Sequence, residues 1–238
     1  DAPSVGTRVF DQADALTVYR RAAAAGWPTA GSSWQGYPTD LWDEHLVFYG
    51  AGAGGAIIGK GFQLVPPGEN GAQVTAQAAP GAVFEGWSDG VTSAVRHDLD
   101  VQGRLHVTAR FRSAGGVPIS WYAIHGIEPG ASEDWGGVDG RDTFGKGMTL
   151  RQEYLADTNP EDPASVFKVV GIEPGSPPHV MVEPYSAERV YTLQYRTSLT
   201  SGSWADVPEQ TDVPGGGSPL AGIGTEATCF FHVVVEVP

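Results

Sequence analysis

The sequence predicts a mainly β protein with short helices. Glycine and proline number 33 and 18 among 238 residues, which favours several small β-rich units. Apolar residues alternate with polar ones in several short runs, and turn-forming residues separate these runs. We therefore expect a small β module and a small antiparallel β-sandwich, joined by a helical loop segment.

Changes in composition divide the chain into four predicted segments. These are an N-terminal arm and helix (1–45), a β module (46–112), a helical segment with a loop (113–163) and the C-terminal sandwich (164–238). The boundary at 113–118 is the clearest, because serine, alanine, glycine and proline dominate that stretch.

The charge and the composition exclude some classes of partner. A net charge of -14 argues against nucleic acid and anionic membrane surfaces, because both require a basic face. No run approaches the roughly 20 apolar residues of a membrane-spanning helix. No signal peptide is visible, so we expect a processed or engineered N-terminus. The single Cys229 cannot form an intramolecular disulfide and is predicted to be a buried strand residue.

The N-terminal segment is predicted to form an extended arm and one amphipathic helix. Asp11 is a suitable N-cap for a helix over 12–25, which Gly26 and Pro28 would end. The arm before it contains a short β-capable run that is a candidate for adding to the sheet edge of a neighbouring subunit. The residues of this possible assembly arm are Val5, Thr7, Val9 and Phe10.

Aromatic residues are concentrated in the stretch that follows the predicted helix. Two interpretations remain open: a platform on which sugars stack, or a loop that packs onto its neighbour. The residues concerned are Trp27, Trp34, Tyr37 and Trp42.

Two glycine-rich patterns resemble nucleotide-binding loops. Residues 50–55 fit G-x-G-x-x-G, and residues 54–60 fit most of the phosphate-loop pattern. Both kinds of loop need a helix directly after the glycines, because its N-terminal N–H groups hold the phosphate. The residues that follow are apolar and interrupted by glycines, which predicts a strand and a turn instead of a helix. Nucleotide binding is therefore not predicted.

The β module carries a compact core motif, F-E-G-W-S-D-G. Trp87 is predicted to be its buried anchor, with Phe84 and Phe111 packed on it, and residues 88–90 form a turn. An exposed, ligand-stacking Trp87 is the alternative. The residues of the core motif are Phe84, Trp87, Asp89 and Gly90.

With its flanking residues, the module resembles the internalin-type B-repeat, a small β-grasp-like module of bacterial surface proteins. The resemblance covers roughly residues 46–111 and implies a spacer or adhesive module without enzymatic activity. The other matching residues are Gly54, Gly55, Gly59, Pro67, Gly68, Val74, Ala76, Ala78, Pro80, Gly81, Arg96 and the strand from Leu105 to Phe111.

The helical segment contains the spacing of a twelve-residue calcium loop. Asp142 stands at position 1, Gly147 at position 6 and Glu153 at position 12. Positions 3 and 5 require oxygen ligands, but they are occupied by Phe144 and Lys146. The frame of a calcium loop is therefore present without half of its ligands.

This stretch resembles the calcium-loop segments of the thrombospondin type 3 and dockerin kind. In that family the loop binds calcium to hold a turn together and does no chemistry. Here a calcium loop and a loop that keeps its shape without metal both remain open. The matching residues are Asp142, Gly147, Met148, Thr149, Gln152, Glu153, Tyr154, Leu155, Thr158, Asn159, Pro160, Asp162 and Pro163.

Lys146 is a candidate replacement for the metal ion. Two carboxylates that converge on one site repel each other, and an ammonium with three donors can neutralise them. We therefore expect Lys146 to bridge Asp142 and Glu153, and Phe144 to turn inward as apolar packing. The alternative is that all three polar side chains point to water, where such pairs contribute about 0–1 kcal/mol.

Two helices and several strands complete the expected architecture. Ser120 is predicted to cap a helix over 121–125, which packs on a second helix over 148–155. From residue 164 the apolar period changes to two, which predicts the sandwich. The sandwich is similar to the C-terminal β-domains of secreted bacterial proteins. The similarity rests on Arg189, Val190, Tyr191, Ser198, Leu199, Trp204, Cys229, Phe230 and Phe231.

No motif for catalysis stands out in the sequence. There is no nucleophile elbow, no H-E-x-x-H and no Cys/His set at metal spacing. Asp98 and Asp100 could serve a glycosidase, but nothing selects this pair of acids over others. We predict no catalytic residue and no cofactor, with calcium as the open case.

The sequence as a whole predicts a non-enzymatic extracellular structural or adhesive protein, exported to the cell surface or beyond. A self-assembling subunit of a bacterial surface filament fits this class, with itself or another surface protein as partner. The alternative is a carbohydrate-binding accessory module with a glycan as ligand. An enzyme of an unrecognised family is the third possibility.

Overall fold

The computed structural model describes residues 26–27, 44–224 and 229–238 in full, and the backbone of 18–20, 33–34 and 37–41. In these ranges the chain is mainly β with three short helices, so the predicted fold class is confirmed. The chain divides into two compact units. Unit 1 comprises residues 1–51, 56–77 and 86–109, and unit 2 comprises residues 52–55, 78–85 and 110–238.

Ten strands lie in the described residues before the first helix. They are β1 (Val18–Arg20), β2 (Ser33–Trp34), β3 (Tyr37–Leu41), β4 (His45–Ala51), β5 (Gly55–Ile58), β6 (Phe62–Val65), β7 (Val74–Ala78), β8 (Ala82–Trp87), β9 (Val95–Arg96) and β10 (Leu105–Ser113). A four-stranded sheet has the order β6, β4, β10, β8, in which β10 is parallel to β4 and β6 is antiparallel to β4. Two three-stranded sheets have the orders β5, β7, β9 and β1, β3, β2.

Alternation along the strands builds the core of unit 1. On β4, Val47 and Tyr49 are buried while Phe48 between them is 39% exposed, as expected for a sheet with one covered face. Removing the apolar surface of these side chains from water stabilises the fold by about 25 cal/mol for each Å² that is buried. The buried apolar residues of this core are Val47, Tyr49, Val65, Val74, Ala76, Trp87, Val101, Val107 and Ala109.

The later part of the chain contains the helices and a sandwich-like pair of antiparallel sheets. The elements are α1 (Ile119–Ile124), α2 (Trp135–Val138), α3 (Leu150–Ala156), β11 (Lys168–Glu173), β12 (His179–Glu183), β13 (Val190–Arg196), β14 (Ala205–Asp206), β15 (Val213–Pro214), β16 (Leu220–Ala221) and β17 (Phe230–Glu236). One sheet has the order β11, β12, β16, and in the other β13 pairs with β14, β15 and β17.

Both sheets contribute to one hydrophobic core in unit 2. Its buried members come from β12, β13, β16 and β17, with one residue from the loop after β14. They are Val180, Val182, Tyr191, Leu193, Val207, Leu220 and Val233. No helix in the described ranges is long and apolar enough to cross a membrane.

The helix predicted over 12–25 is wrong where the structure describes it. Val18–Arg20 is a short strand that pairs in parallel with β3. Valine and tyrosine have strong strand preference, and pairing with a strand about 20 residues away overrides the local helical period. The remainder of the predicted helix lies outside the described residues.

Other expected boundaries differ by one or two residues. Helix α1 begins at Ile119, so Pro118 occupies the N-cap position and Ser120 lies inside the first turn without a capping hydrogen bond. Cys229 is half-buried and directly precedes β17 instead of lying within it. The stretch 113–118, predicted as a boundary, lies inside unit 2.

Candidate functional site

The loop that begins at Asp142 is closed by the Asp142 carboxylate. Its Oδ1 accepts the backbone N–H of Lys146 at 3.1 Å, and its Oδ2 accepts that of Gly147 at 2.8 Å. Gly147 has a φ of 83°, a left-handed conformation that glycine adopts without strain. The frame read from the calcium-loop spacing thus forms a tight loop, in which Asp142 binds backbone groups.

Helix α3 positions the second acid of this frame. Thr149 is the N-cap, and a capping box joins it to Gln152: the Thr149 hydroxyl accepts the Gln152 N–H, and the Gln152 side chain accepts the Thr149 N–H. Glu153 follows in the first turn with its side chain fully buried. A carboxylate at this depth requires a positive partner, because desolvation of an unpaired charge is costly.

The segment after α3 directs three backbone carbonyls inward. Asn159 and Asp162 shape it, since their side-chain oxygens accept the N–H groups of Glu161 and Ala164 two residues on. The Ser165 hydroxyl accepts the Asn159 N–H at 2.9 Å and ties the two ends of the segment together. These local bonds place the carbonyl oxygens of residues 159, 162 and 165 on one side of the segment.

The ammonium group of Lys146 lies at the centre of these oxygens. Its Nζ donates to the carbonyls of Asn159, Asp162 and Ser165 at 2.7, 2.9 and 3.0 Å. The Glu153 Oε2 atom lies 2.9 Å from the same nitrogen. Three donors meet three acceptors, and the carboxylate balances the charge. Four oxygens therefore surround a cationic nitrogen, as oxygens surround a calcium ion.

The charged side chains of this cation centre (Lys146, Glu153 and the three carbonyls) are buried, so each charge depends on the other for stabilisation. The Lys146 side chain is 4% exposed and that of Glu153 is 0% exposed. The Glu153 Oε2 contact is an ion pair without hydrogen-bond geometry, and Oε1 has no hydrogen-bond partner in the described residues. Lys146 is thus the only positive charge that the structure brings to this buried acid within the described ranges.

Two parts of the expected arrangement are wrong. Asp142 does not contact the ammonium group, because both of its oxygens are engaged by the backbone of its own loop. Phe144 is 45% exposed instead of packed inward. The buried group of this loop is the Lys146 side chain, which leaves the loop and reaches the segment after α3.

Among the described residues, no three His, Cys, Asp or Glu side chains come close enough together to hold a metal ion. The ligands of a calcium loop would have to include both Asp142 and Glu153. Here Asp142 faces backbone N–H groups, and Glu153 faces an ammonium group. The residues present therefore do not fit a calcium ion while Lys146 occupies the centre.

The core motif of the β module surrounds a buried arginine. Trp87 is 2% exposed, and its indole Nε1 donates to the Ser93 carbonyl at 2.9 Å. The guanidinium carbon of Arg96 lies 5.4 Å from the Trp87 ring centroid, and the Tyr49 ring meets Trp87 edge-on at 6.0 Å. Trp87 is therefore a core residue. Phe84 is half-buried and packs on Phe111 with centroids 5.9 Å apart.

Two acids neutralise Arg96. Asp89 accepts from its Nη1 at 2.9 Å, and Asp98 accepts from its Nε and Nη2 at 2.7 and 2.9 Å. The Tyr49 hydroxyl also donates to Asp98, at 2.6 Å. Asp98, one of the acids considered for a glycosidase, is thus fully used in holding the arginine. Gly90 has a φ of 90° and forms the turn after Asp89.

The same contacts shift the acidities of the groups. Hydrogen bonds from Arg96 lower the pKa of Asp89. Burial alone would raise the pKa of Asp98, but the bonds from Arg96 and Tyr49 outweigh it and hold that pKa below its ordinary value. Burial and the bond to Asp98 raise the pKa of Tyr49. The geometry therefore favours ionised acids around the arginine.

We expect this cluster to make unit 1 sensitive to acid. A carboxyl whose folded pKa lies below its unfolded value stabilises the fold above the unfolded pKa, and that stability disappears as the pH falls through the folded pKa. Asp98→Asn should cost about 2 kcal/mol of unfolding free energy at pH 7, and the difference from wild type should shrink below about pH 4. Urea denaturation at several pH values measures it. Asp100→Asn, at an exposed neighbouring position, is the control. If the unfolding free energies of the two variants changed equally with pH, Asp98 would not be the source of the acid sensitivity.

A further buried acid had no signal in the sequence. Asp139, at the end of α2, accepts from the hydroxyls of Ser113 and Tyr122 at 2.6 and 2.5 Å and from the Gly115 N–H at 2.8 Å. Burial and the Asp139 carboxylate raise the pKa of Tyr122. The partners are up to 26 residues from Asp139 in the sequence, and no local spacing connects them.

Several predicted residues lie outside what the structure describes. These are the assembly arm (Val5, Thr7, Val9 and Phe10) and the side chains of Trp34, Tyr37 and Trp42. The assembly arm and the sugar-stacking platform stay predictions.

Comparisons with protein-family models, curated proteins and solved structures gave no match for this chain. The similarities to the B-repeat and to calcium-loop segments therefore rest on the matching residues alone.

Proposed function

We propose that the chain is a non-enzymatic structural or adhesive subunit, exported from a bacterial cell, that associates with further copies of itself. One observation carries the proposal: in each unit, a strand at the edge of a sheet bears apolar side chains that are about half exposed. Apolar surface at a sheet edge favours association with another chain.

The edge strand of unit 1 is β6. It lies at the end of the sheet order β6, β4, β10, β8, and its Phe62 and Leu64 are exposed by 60% and 46%. Phe48 on the neighbouring strand pairs with Phe62 in register and contacts His106 edge-on, with ring centroids 4.8 Å apart. An apolar strip therefore follows this edge of the sheet.

The edge strand of unit 2 is β11. It lies at the end of the order β11, β12, β16, and Val169, Val170 and Ile172 are each about half exposed. The unpaired N–H and C=O groups of such a strand can add a strand from another molecule. Two apolar edges on one subunit would allow a chain of subunits to grow in both directions.

The cation centre supports a structural role. Three carbonyls of the segment after α3 bind one side-chain nitrogen, and Glu153 of α3 balances its charge, so the segment needs no dissolved ion. A tethered charge cannot be diluted or removed by a chelator, unlike a bound metal. A subunit of an exposed assembly would keep its shape in media of variable calcium content.

Sedimentation velocity tests the proposal. The purified chain should form larger species as its concentration rises from about 1 μM to about 500 μM, because apolar edges associate by mass action. Deleting residues 1–10 tests the predicted arm in the same experiment: reduced association would support it, and unchanged association would remove it. A chain that stays monomeric throughout and binds polysaccharide would contradict the proposal and favour the carbohydrate-binding alternative.

A further inference from the structure

Strand β11 has a free edge and a sequence, KVVGIE, with opposite charges at its two ends. Within the described residues, β11 pairs only with β12, so its other edge carries backbone groups without a strand partner. Lys168 opens the strand and Glu173 closes it. Antiparallel pairing of two such strands would place each lysine near a glutamate.

A bulge determines which side chains share a face. Lys168 lies opposite Glu183 of β12, and Glu173 lies opposite His179, but Val169 and Gly171 lie opposite consecutive residues of β12. In a regular strand, residues five positions apart point to opposite faces. The extra residue of the bulge reverses this parity, so Lys168 and Glu173 lie on the same face.

Two apolar residues of the strand likewise share a face, which is opposite to that of the two charged residues. Val169 lies opposite Val182, and Ile172 lies opposite Val180. Val180 and Val182 are both buried in the core of unit 2, whereas Val169 and Ile172 remain about half exposed at the edge. The strand therefore has a symmetric pattern: a charged residue at each end, an apolar residue next to each charge, and the bulge at the centre.

We infer that β11 pairs in antiparallel fashion with β11 of a second copy about a two-fold axis through the bulge. This inference rests on the proposed function and names its interface. Lys168 of each copy lies opposite Glu173 of the other, and Val169 lies opposite Ile172. The two three-stranded sheets become one continuous sheet of six strands, as a two-fold interface requires a self-complementary surface.

Both charged groups are exposed at the edge, where a second copy can reach them. Glu173 has no ion-pair partner among the described residues, and Lys168 has only a 3.6 Å contact with the exposed Glu183. An apolar groove of about 370 Å³, lined in part by Val170 and Met181, adjoins the strand, so pairing here extends an existing apolar surface. A bulge and a lysine can also protect an edge from pairing, and the experiment separates these roles.

Charge reversal on β11 tests the interface in the full chain. In Glu173→Lys every contact of the pair joins two lysines, and in Lys168→Glu it joins two glutamates. Each single variant should raise the dimer dissociation constant at least about tenfold, measured by sedimentation equilibrium. The double variant should restore association. An equimolar mixture of the two single variants should form a 1:1 complex, because one edge is then acidic and the other basic.

The control is Glu188→Lys, which makes the same change of charge at an exposed residue outside the strands. It should associate like wild type. If the wild-type chain associates but both single reversals leave the constant unchanged, the β11 interface is overturned and the proposed function stands. If the wild-type chain does not associate, the proposed function and the interface both fail.

Discussion

Lys146→Met should lower the unfolding free energy of unit 2 by about 3–5 kcal/mol, the usual cost of removing one partner of a buried ion pair. The Glu153 carboxylate would remain fully buried without a counter-charge, because Lys146 is its only positive partner in the described residues. The three carbonyls that receive the ammonium group would also lose their donor. The variant methionine fills a similar volume, so the effect is one of charge and hydrogen bonding.

Urea denaturation followed by circular dichroism measures this change, with two further variants as controls. Lys60→Met removes an exposed lysine outside the strands and should change stability by about 0–1 kcal/mol. Lys146→Met combined with Glu153→Gln should recover part of the loss, because no unpaired charge stays buried. If Lys146→Met melted like wild type, the centre would contribute nothing.

Calcium should have no effect on the wild-type chain. Lys146 occupies the place of the ion, and Asp142 faces its own backbone. Melting temperatures with calcium and with a chelator should therefore agree. A rise of several degrees with calcium would show that the loop binds the ion despite the ammonium group.

The frame of the cation centre could be predicted from the sequence, but most of its ligands could not. The spacing of Asp142, Gly147 and Glu153 indicated the loop, and the lysine within it indicated a replacement for the ion. The structure adds the carbonyls after α3. Backbone carbonyls have no residue signature, so only the three-dimensional path of the segment reveals them.

Long-range pairing explains the other differences. The period over 12–25 suggested a helix, whereas Val18–Arg20 pairs with a strand that is not adjacent in sequence. The Arg96 cluster and the Asp139 cluster likewise connect residues that no short motif relates. The burial of Trp87 is easier to predict from the sequence, because a large aromatic side chain is seldom left fully exposed to water.

Trp87→Ala should lower the unfolding free energy of unit 1 by about as much as Lys146→Met lowers that of unit 2. The ring is 2% exposed, lies against Tyr49 and Arg96, and donates a hydrogen bond to Ser93. Its removal leaves a cavity and uncovers the buried guanidinium group, and such substitutions cost about 3–5 kcal/mol. Trp87→Phe keeps most of the packing but loses the indole donor, so it should lie between alanine and wild type.

Hydrogen exchange followed by mass spectrometry locates the effect of Trp87→Ala. Amide protection should fall in β4 and in residues 105–109, the parallel pair of strands in unit 1. Leu99→Ala removes an apolar side chain that is 62% exposed. It should leave amide protection unchanged and the unfolding free energy within about 0.5 kcal/mol of wild type. Unchanged protection in Trp87→Ala would mean that the ring does not hold this sheet, and that the other buried apolar residues of unit 1 hold its core.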